Sequence, residues 1–138
     1  MIEKGVCLTM CSPPARVGGL AGRHGYNEGR VMYKLTIIYY RLNAPDEFDE
    51  DYYLQQHMPR ASAAFAQFGI TRMEMEKVIG APGGRDPDFY RLSHIYANSL
   101  EQLQQALTSP EGIELGKDLR NFARGRVAFV LSEIQLYR

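Results

Sequence analysis

The sequence contains no tryptophan and only two cysteines, Cys7 and Cys11, among its 138 residues. The two cysteines have no second pair and no nearby histidine at ligand spacing, which is too little for a zinc site or a disulfide framework. Such sparse cysteine usage is typical of proteins in a reducing compartment, so we expect the protein to be cytoplasmic.

Charge of one sign is not in excess either, because 16 lysines and arginines balance 16 aspartates and glutamates. A neutral chain has no broad electrostatic attraction to nucleic acid or to an anionic membrane. No apolar run approaches the length of a membrane span, and the N-terminus lacks the compact apolar segment of a signal peptide. We therefore expect neither nucleic acid nor a membrane as a partner.

The composition divides the chain into two parts. Residues 1–31 contain six glycines and two adjacent prolines, and they show neither helical nor strand periodicity. Such a segment buries too little apolar surface to offset its ordering entropy, so we expect a flexible arm before one domain at residues 32–138. Either Met32 is the natural start and the arm an upstream extension, or the arm has its own role, such as redox chemistry at its cysteines.

Dense periodic patterns begin after Met32. Residues 34–41 are apolar on both alternate sets, which is typical of a strand covered on two faces. A helical period then starts at Glu47, and Gly69 is expected to end that helix. Pro59 interrupts the run and predicts a kink or a split nearby. Apolar residues recur along the helix at spacings of four and three: Leu54, Met58, Ala61, Phe65 and Phe68.

The second half of the domain shows a hairpin, two helix starts and a last strand. Residues 71–79 alternate like an edge strand, and a glycine-rich loop links them to a third strand at residues 89–96. Ser99 and Ser109 are expected N-caps, and the helix after Ser109 carries an apolar stripe. This stripe consists of Leu115, Leu119 and Phe122. Residues 127–136 are expected to form the last strand.

The order β-α-β-β-α-β predicts an α+β, ferredoxin-like fold, with a four-stranded antiparallel sheet and the helices on one face. The opposite face of the sheet would then expose apolar side chains to solvent, because neither alternate set of residues 34–41 is polar. Soluble monomers rarely expose a large apolar face. We therefore predict a homodimer in which two sheets pack face to face about a two-fold axis.

Five short segments together resemble the EthD family over residues 32–138. They are KLTIIYYR at 34–41, EFDEDYYLQQHMP at 47–59, YANS at 96–99, SPEG at 109–112 and NFARG at 121–125. The resemblance implies a dimeric α/β barrel and a small-molecule role. The family's prototype belongs to a system for ethyl tert-butyl ether degradation beside a cytochrome P450, and fungal relatives are linked to polyketide dehydration or decarboxylation. A general oxidoreductase label is thus implied, without a defined reaction.

His57 is the best-placed of the three histidines for chemistry. It lies about 60° from the centre of the helical stripe, at the border of the buried face, and Tyr53 is one turn earlier on the same side. An unperturbed pKa of about 6.5 suits a histidine to general acid/base catalysis, so we predict His57 and Tyr53 as catalytic residues. In the EthD motif a histidine corresponds to His57 and a proline to Pro59. The alternative is a structural histidine that bonds a backbone carbonyl.

Nine tyrosines suggest an apolar pocket with hydroxyls that orient a carbonyl or phenol. The alternatives are that these tyrosines fill the core and dimer interface, that Arg91 points to solvent, and that His94 packs in the core or at the interface. No metal site and no cofactor is predicted, because no His, Asp or Glu residues have recognisable ligand spacing. The predicted substrate-binding residues are Tyr39, Tyr40, Tyr90, Arg91, His94 and Tyr96.

Three functions fit these observations. The first is a cofactor-independent enzyme, oxidoreductase (monooxygenase-like) or lyase, dehydratase or isomerase, that acts on a small apolar oxygenated compound in catabolism. The second is a binding or accessory module that supports a partner oxygenase. The third is a dimer with a filled, inert barrel. A cavity beside His57 would distinguish the first two from the third.

Overall fold

A computed structural model describes residues 32–41 and 48–137. The arm expected at residues 1–31, with its two cysteines, lies outside the described residues, as does Glu47, where the first helix was expected to begin. Among the described helices, none combines the length and apolar composition that crossing a membrane requires.

Four antiparallel strands form one sheet: β1 (Met32–Tyr40), β2 (Arg72–Lys77), β3 (Phe89–Ala97) and β4 (Val127–Ile134). Their order across the sheet is β2–β3–β1–β4. β2 is an edge strand, as its alternation predicts. With the helices between β1 and β2 and between β3 and β4, this is the ferredoxin-like βαββαβ fold.

The helical segments are shorter and more divided than the periodicity predicts. The first comprises two α-helices separated by a π-helical turn, and the second comprises two α-helices followed by a 3-10 turn. Leu119 and Phe122, which were expected within the last helix, therefore lie in and after the 3-10 turn. In chain order the bounds are α1 Glu50–Tyr52, π Tyr53–His57, α2 Met58–Ala66, α3 Leu100–Thr108, α4 Pro110–Asp118 and 3-10 Leu119–Asn121.

Side-chain caps fix where the helices begin. The hydroxyl of Ser99 accepts a hydrogen bond from the backbone N–H of Gln102, at 3.2 Å, and Ser109 accepts one from that of Gly112, at 3.0 Å. Both predicted N-caps are thereby confirmed. Gly69 ends the first helical segment with a φ of 77°, a conformation that disfavours residues with a Cβ.

The π-helical turn changes which residues face the core. The backbone N–H of Met58 bonds to the carbonyl of Tyr53, five residues back, and Pro59 follows without an N–H of its own. The wider turn lets Tyr53 and His57 both point inward, at 0% and 5% exposure, whereas Leu54 is 40% exposed. The prediction that Leu54 leads the buried stripe is wrong, because a regular α-helical period does not hold through this turn.

The core lies between the sheet and the helices in two adjoining clusters. The aliphatic cluster centres on Leu35 and Ile95 of the sheet, with Ala61 and Phe65 of α2 and Leu103 of α3 packed over them. The aromatic cluster adjoins it near the start of the first helical segment, with rings 5.3–5.9 Å apart between centroids. Its buried members are Tyr39, Phe48, Tyr53 and Phe122.

Candidate functional site

His57 and Asp118 form the central pair of the candidate site. The π turn places the His57 ring beside the end of α4, where its Nδ1 lies 2.8 Å from Oδ2 of Asp118. Each residue is only 5% exposed. Phe122 covers the imidazole, with the ring centroids 4.5 Å apart. The pair is therefore screened from water by aromatic packing.

Asp118 is held as a carboxylate by its neighbours. Its Oδ1 accepts hydrogen bonds from the hydroxyl of Tyr52 at 2.6 Å and from the amide of Asn121 at 2.8 Å, and the Arg60 guanidinium lies 3.3 Å from Oδ2. Burial alone would raise the pKa of Asp118, but the hydrogen bonds from Tyr52, His57 and Asn121 and the charge of Arg60 hold that pKa well below its ordinary range.

His57 is neutral at physiological pH. Burial lowers its pKa below the ordinary 6.5 and outweighs the opposing effect of Asp118. Because the Asp118 carboxylate can only accept, Nδ1 carries the proton and donates it. Within residues 32–41 and 48–137, no side chain or backbone group hydrogen-bonds to Nε2. A neutral imidazole in this tautomer has a free lone pair on Nε2, which is what a general base requires.

His57 lines a small cavity of about 60 Å³ between the sheet and the helices. This volume holds a few water-sized groups but is below the 300–1,000 Å³ typical of pockets for larger ligands. The polar groups in its wall are His57, Tyr39 and Ser93. The remainder are apolar or glycine: Leu35, Ile37, Met58, Ala61, Phe65, Met73, Ile95, Leu107, Gly112, Leu115, Gly116, Leu119 and Phe129.

Tyr53 contacts the cavity through Ser93 rather than directly. Its hydroxyl lies 2.6 Å from Oγ of Ser93, which is buried and lines the cavity, whereas Tyr53 does not. Burial raises the pKa of Tyr53 and also that of Tyr39, so both phenols keep their protons at physiological pH. Tyr53 is therefore placed to orient the Ser93 hydroxyl, with the Arg91 guanidinium 5.2 Å from its ring centroid.

Tyr90 and Arg91 converge on Glu50 instead of the cavity. Nε of Arg91 donates to Oε2 of Glu50 at 3.1 Å, and the Tyr90 hydroxyl donates to the same oxygen at 3.2 Å. The bond from Arg91 is the main reason why the pKa of Glu50 lies below its ordinary value. The β1–β3 pairing has a bulge at Tyr40. The bulge turns the Tyr90 side chain to the opposite sheet face from His94, so that Tyr90 packs against the aromatic cluster.

Tyr40, His94 and Tyr96 do not reach the cavity. They lie on the sheet face that is turned away from the helices, here called the outer sheet face, because strand residues alternate between faces. Thr36 Oγ1 lies 3.1 Å from Nδ1 of His94, and Glu76 lies 3.3 Å from its Nε2. Of the six predicted substrate-binding residues, only Tyr39 therefore lines the cavity with His57.

Two residues of the site were missed from the sequence, Asp118 and Ser93. Asp118 carried a usable signal, because it lies three residues after Leu115 and four before Phe122, on the apolar side of the last helical segment. Ser93 shares its strand face with the buried Ile95, but a serine in that position is not distinctive. Among the described residues, no group of three His, Cys, Asp or Glu side chains could hold a metal ion.

A protein-family model and a relative of similar sequence each match more than half of this chain. The EthD domain matches residues 43–126. An uncharacterized 11.0 kDa protein in the thcB–thcC intergenic region of Rhodococcus erythropolis is 30% identical over 102 residues, which cover 74% of this chain and 94% of that protein.

Two solved structures are similar over most of the chain. An EthD family protein of Bacillus halodurans is 28% identical with a TM-score of 0.62, and the match covers 75% of this chain and 99% of that one. An EthD-like protein of Ralstonia eutropha is 24% identical with a TM-score of 0.67, and the match covers 79% and 96%.

Proposed function

Because the chain belongs to the EthD family, and because a neutral histidine lines the cavity between its sheet and helices, we propose that it is a cofactor-independent enzyme acting on a small apolar oxygenated compound. The observation that carries this proposal is the 2.8 Å contact between Nδ1 of His57 and Asp118. That contact leaves Nε2 of His57 to take a proton from the substrate.

Each polar group of the site has one role in this enzyme. Asp118 fixes the tautomer and orientation of the His57 ring and stabilises the imidazolium that forms on proton transfer. The Ser93 hydroxyl, oriented by Tyr53, hydrogen-bonds the substrate oxygen, and Tyr39 offers a second hydroxyl. The apolar wall favours a compound with one or two oxygens and no charge.

Proton abstraction next to a carbonyl or from a phenol is the step that several reactions share. It begins monooxygenase-like oxidation, in which dioxygen is the oxidant, one of its atoms enters the electron-rich substrate and the other leaves as water; it also begins dehydration or isomerisation, which need no oxidant. The cavity therefore supports an oxidoreductase or a lyase equally, and the reaction in catabolism, including ether degradation, remains a prediction from the family resemblance.

A second candidate function uses the same cavity. An apolar cavity with a few polar groups can hold a small compound without converting it, so a non-catalytic binding module that supports a partner oxygenase is also consistent with this site. Turnover distinguishes the two functions, because a binding module holds the compound without converting it.

The test of the proposed enzyme is turnover of a panel of small ketones, phenols and hydroxyketones by the purified protein between pH 4.5 and 9. Because His57 must be neutral to act and its pKa is lowered, we expect kcat/KM to be constant around pH 7. It should fall on the acid side with a midpoint below about 6.5. An acid limb centred above that pH would contradict the role of His57.

We also propose that the protein is a homodimer through the outer sheet face. Apolar side chains on this face include Ile38, Leu92 and Val130, of which Val130 is 42% exposed. Light scattering at micromolar concentration should give about twice the chain mass of 15.7 kDa. Val130→Asp should shift the protein toward monomer, whereas Ile113→Asp on the exposed side of α4 should not. A monomeric wild type would refute the proposal.

A further inference from the structure

The wall of the cavity beside His57 includes residues that are exposed to solvent. Two members of its wall are exposed, Gly116 of α4 and Phe129 of β4, which is 55% exposed. Phe129 pairs with Ile37 of β1, which also lines the cavity, so its ring stands on the helix side of the sheet. β4 is an edge strand, and the cavity wall is exposed to solvent at Phe129 and at Gly116.

The two glycines of α4 that line the cavity are not equivalent. A Cβ on Gly112 would overlap the carbonyl oxygen of Ala106, so this glycine is required for the close approach of α3 and α4. A Cβ on Gly116 would meet no atom within 4 Å. Its φ is not in the left-handed region, and glycine inside a helix is less stable than alanine. Packing against neighbouring residues therefore does not explain why position 116 is a glycine.

We propose that Gly116 and Phe129 form the entrance through which a ligand reaches His57, and that the missing side chain at position 116 sets the size limit. This inference rests on the proposed function only in taking the His57 cavity as the ligand site. His57 supplies an independent sign of a ligand, because it is buried and its Nε2 has no hydrogen-bond partner among the described residues.

The wall between the entrance and His57 defines the class of ligand. Leu115, Leu119 and Met58 of the wall are apolar, and its polar groups are His57, Tyr39 and Ser93. A ligand that fits this wall presents an apolar chain to the helices and one oxygen to the polar groups. Short unbranched ketones have that chemistry, and their chain length can be varied one methylene at a time.

The test uses protein labelled with ¹⁵N in its three histidines, with 2-butanone as the probe. We expect 2-butanone to shift the Nε2 signal of His57 in the wild type. Gly116→Leu should weaken that binding at least tenfold, because the leucine side chain fills the entrance. Gln105→Leu adds the same side chain to an exposed position of α3 outside the cavity wall, and it should bind within twofold of the wild type.

Phe129→Ala provides the opposite change. Removing the ring should widen the entrance, so that 2-hexanone, expected to bind the wild type poorly, gains affinity at least threefold. The proposal would be overturned if Gly116→Leu bound 2-butanone as tightly as the wild type does, or if 2-butanone did not shift the His57 signal in the wild type. If the entrance exists but the protein is not an enzyme, the result is different. Ketones would still bind behind Gly116, but no compound of the panel would be turned over.

Discussion

Replacing His57 with glutamine should lower kcat by about 10²- to 10⁴-fold, the usual contribution of a positioned general base. Glutamine approximates the volume of the imidazole and can still hydrogen-bond Asp118, but it does not take up a proton near neutral pH. Ligand affinity should therefore change only a few-fold, since the apolar wall and Ser93 remain. The measurement is kcat on the compound found in the panel, with its dissociation constant from calorimetry.

His94→Gln is the matched control for that experiment. His94 is also buried and also contacts a carboxylate, but it lies on the outer sheet face and away from the cavity. We expect its turnover to stay close to wild type. If His57→Gln keeps full turnover, the assignment of the base is wrong. If it loses ligand affinity and turnover together, the residue binds rather than catalyses.

Asp118→Ala should lower the free energy of unfolding by about 2–4 kcal/mol, one of the largest single-residue effects on stability in the domain. The substitution leaves the Nδ1–H of His57 buried without an acceptor, and it also removes the acceptor for Tyr52 and Asn121. Urea unfolding at pH 7 measures the change. Asp86→Ala, an exposed loop aspartate, should alter stability by less than about 0.5 kcal/mol.

The stabilisation from Asp118 depends on pH in a definite direction. Its pKa is lowered in the folded protein, so its contribution is present above the unfolded value of about 3.9 and is lost as the pH falls below it. The difference in unfolding free energy between wild type and Asp118→Ala should therefore shrink below about pH 4. A difference that stays constant from pH 7 to pH 3 would mean that the carboxylate charge is not what stabilises this site.

Much of the fold follows from local patterns in the sequence. Residues 34–41 are apolar on both alternate sets, and β1 is an inner strand of the sheet. Ser99 and Ser109 cap helices through hydrogen bonds to residues only three positions later in the chain. The edge position of β2 follows from its alternating charges. Such signals act over a few residues, so the order of elements and the ferredoxin-like topology could be predicted.

The site itself depends on contacts that no local pattern encodes. Asp118 meets His57 across 61 positions of the chain, and the π turn moves Tyr53 and His57 inward against the regular helical period. The bulge beside Tyr40 likewise turns Tyr90 away from the alternate set that its strand predicts. Such departures are set by tertiary packing, so the sequence indicated His57 but not its partner.

The most direct test of the site is an NMR titration of the His57 imidazole in the wild-type protein. We expect a proton on Nδ1, hydrogen-bonded to Asp118, and a pKa below about 6.5 for the imidazole. Asp118→Asn should lower that pKa further, because the charge that favours imidazolium is removed. A proton on Nε2, or a pKa at or above 6.5, would contradict a neutral general base at this position.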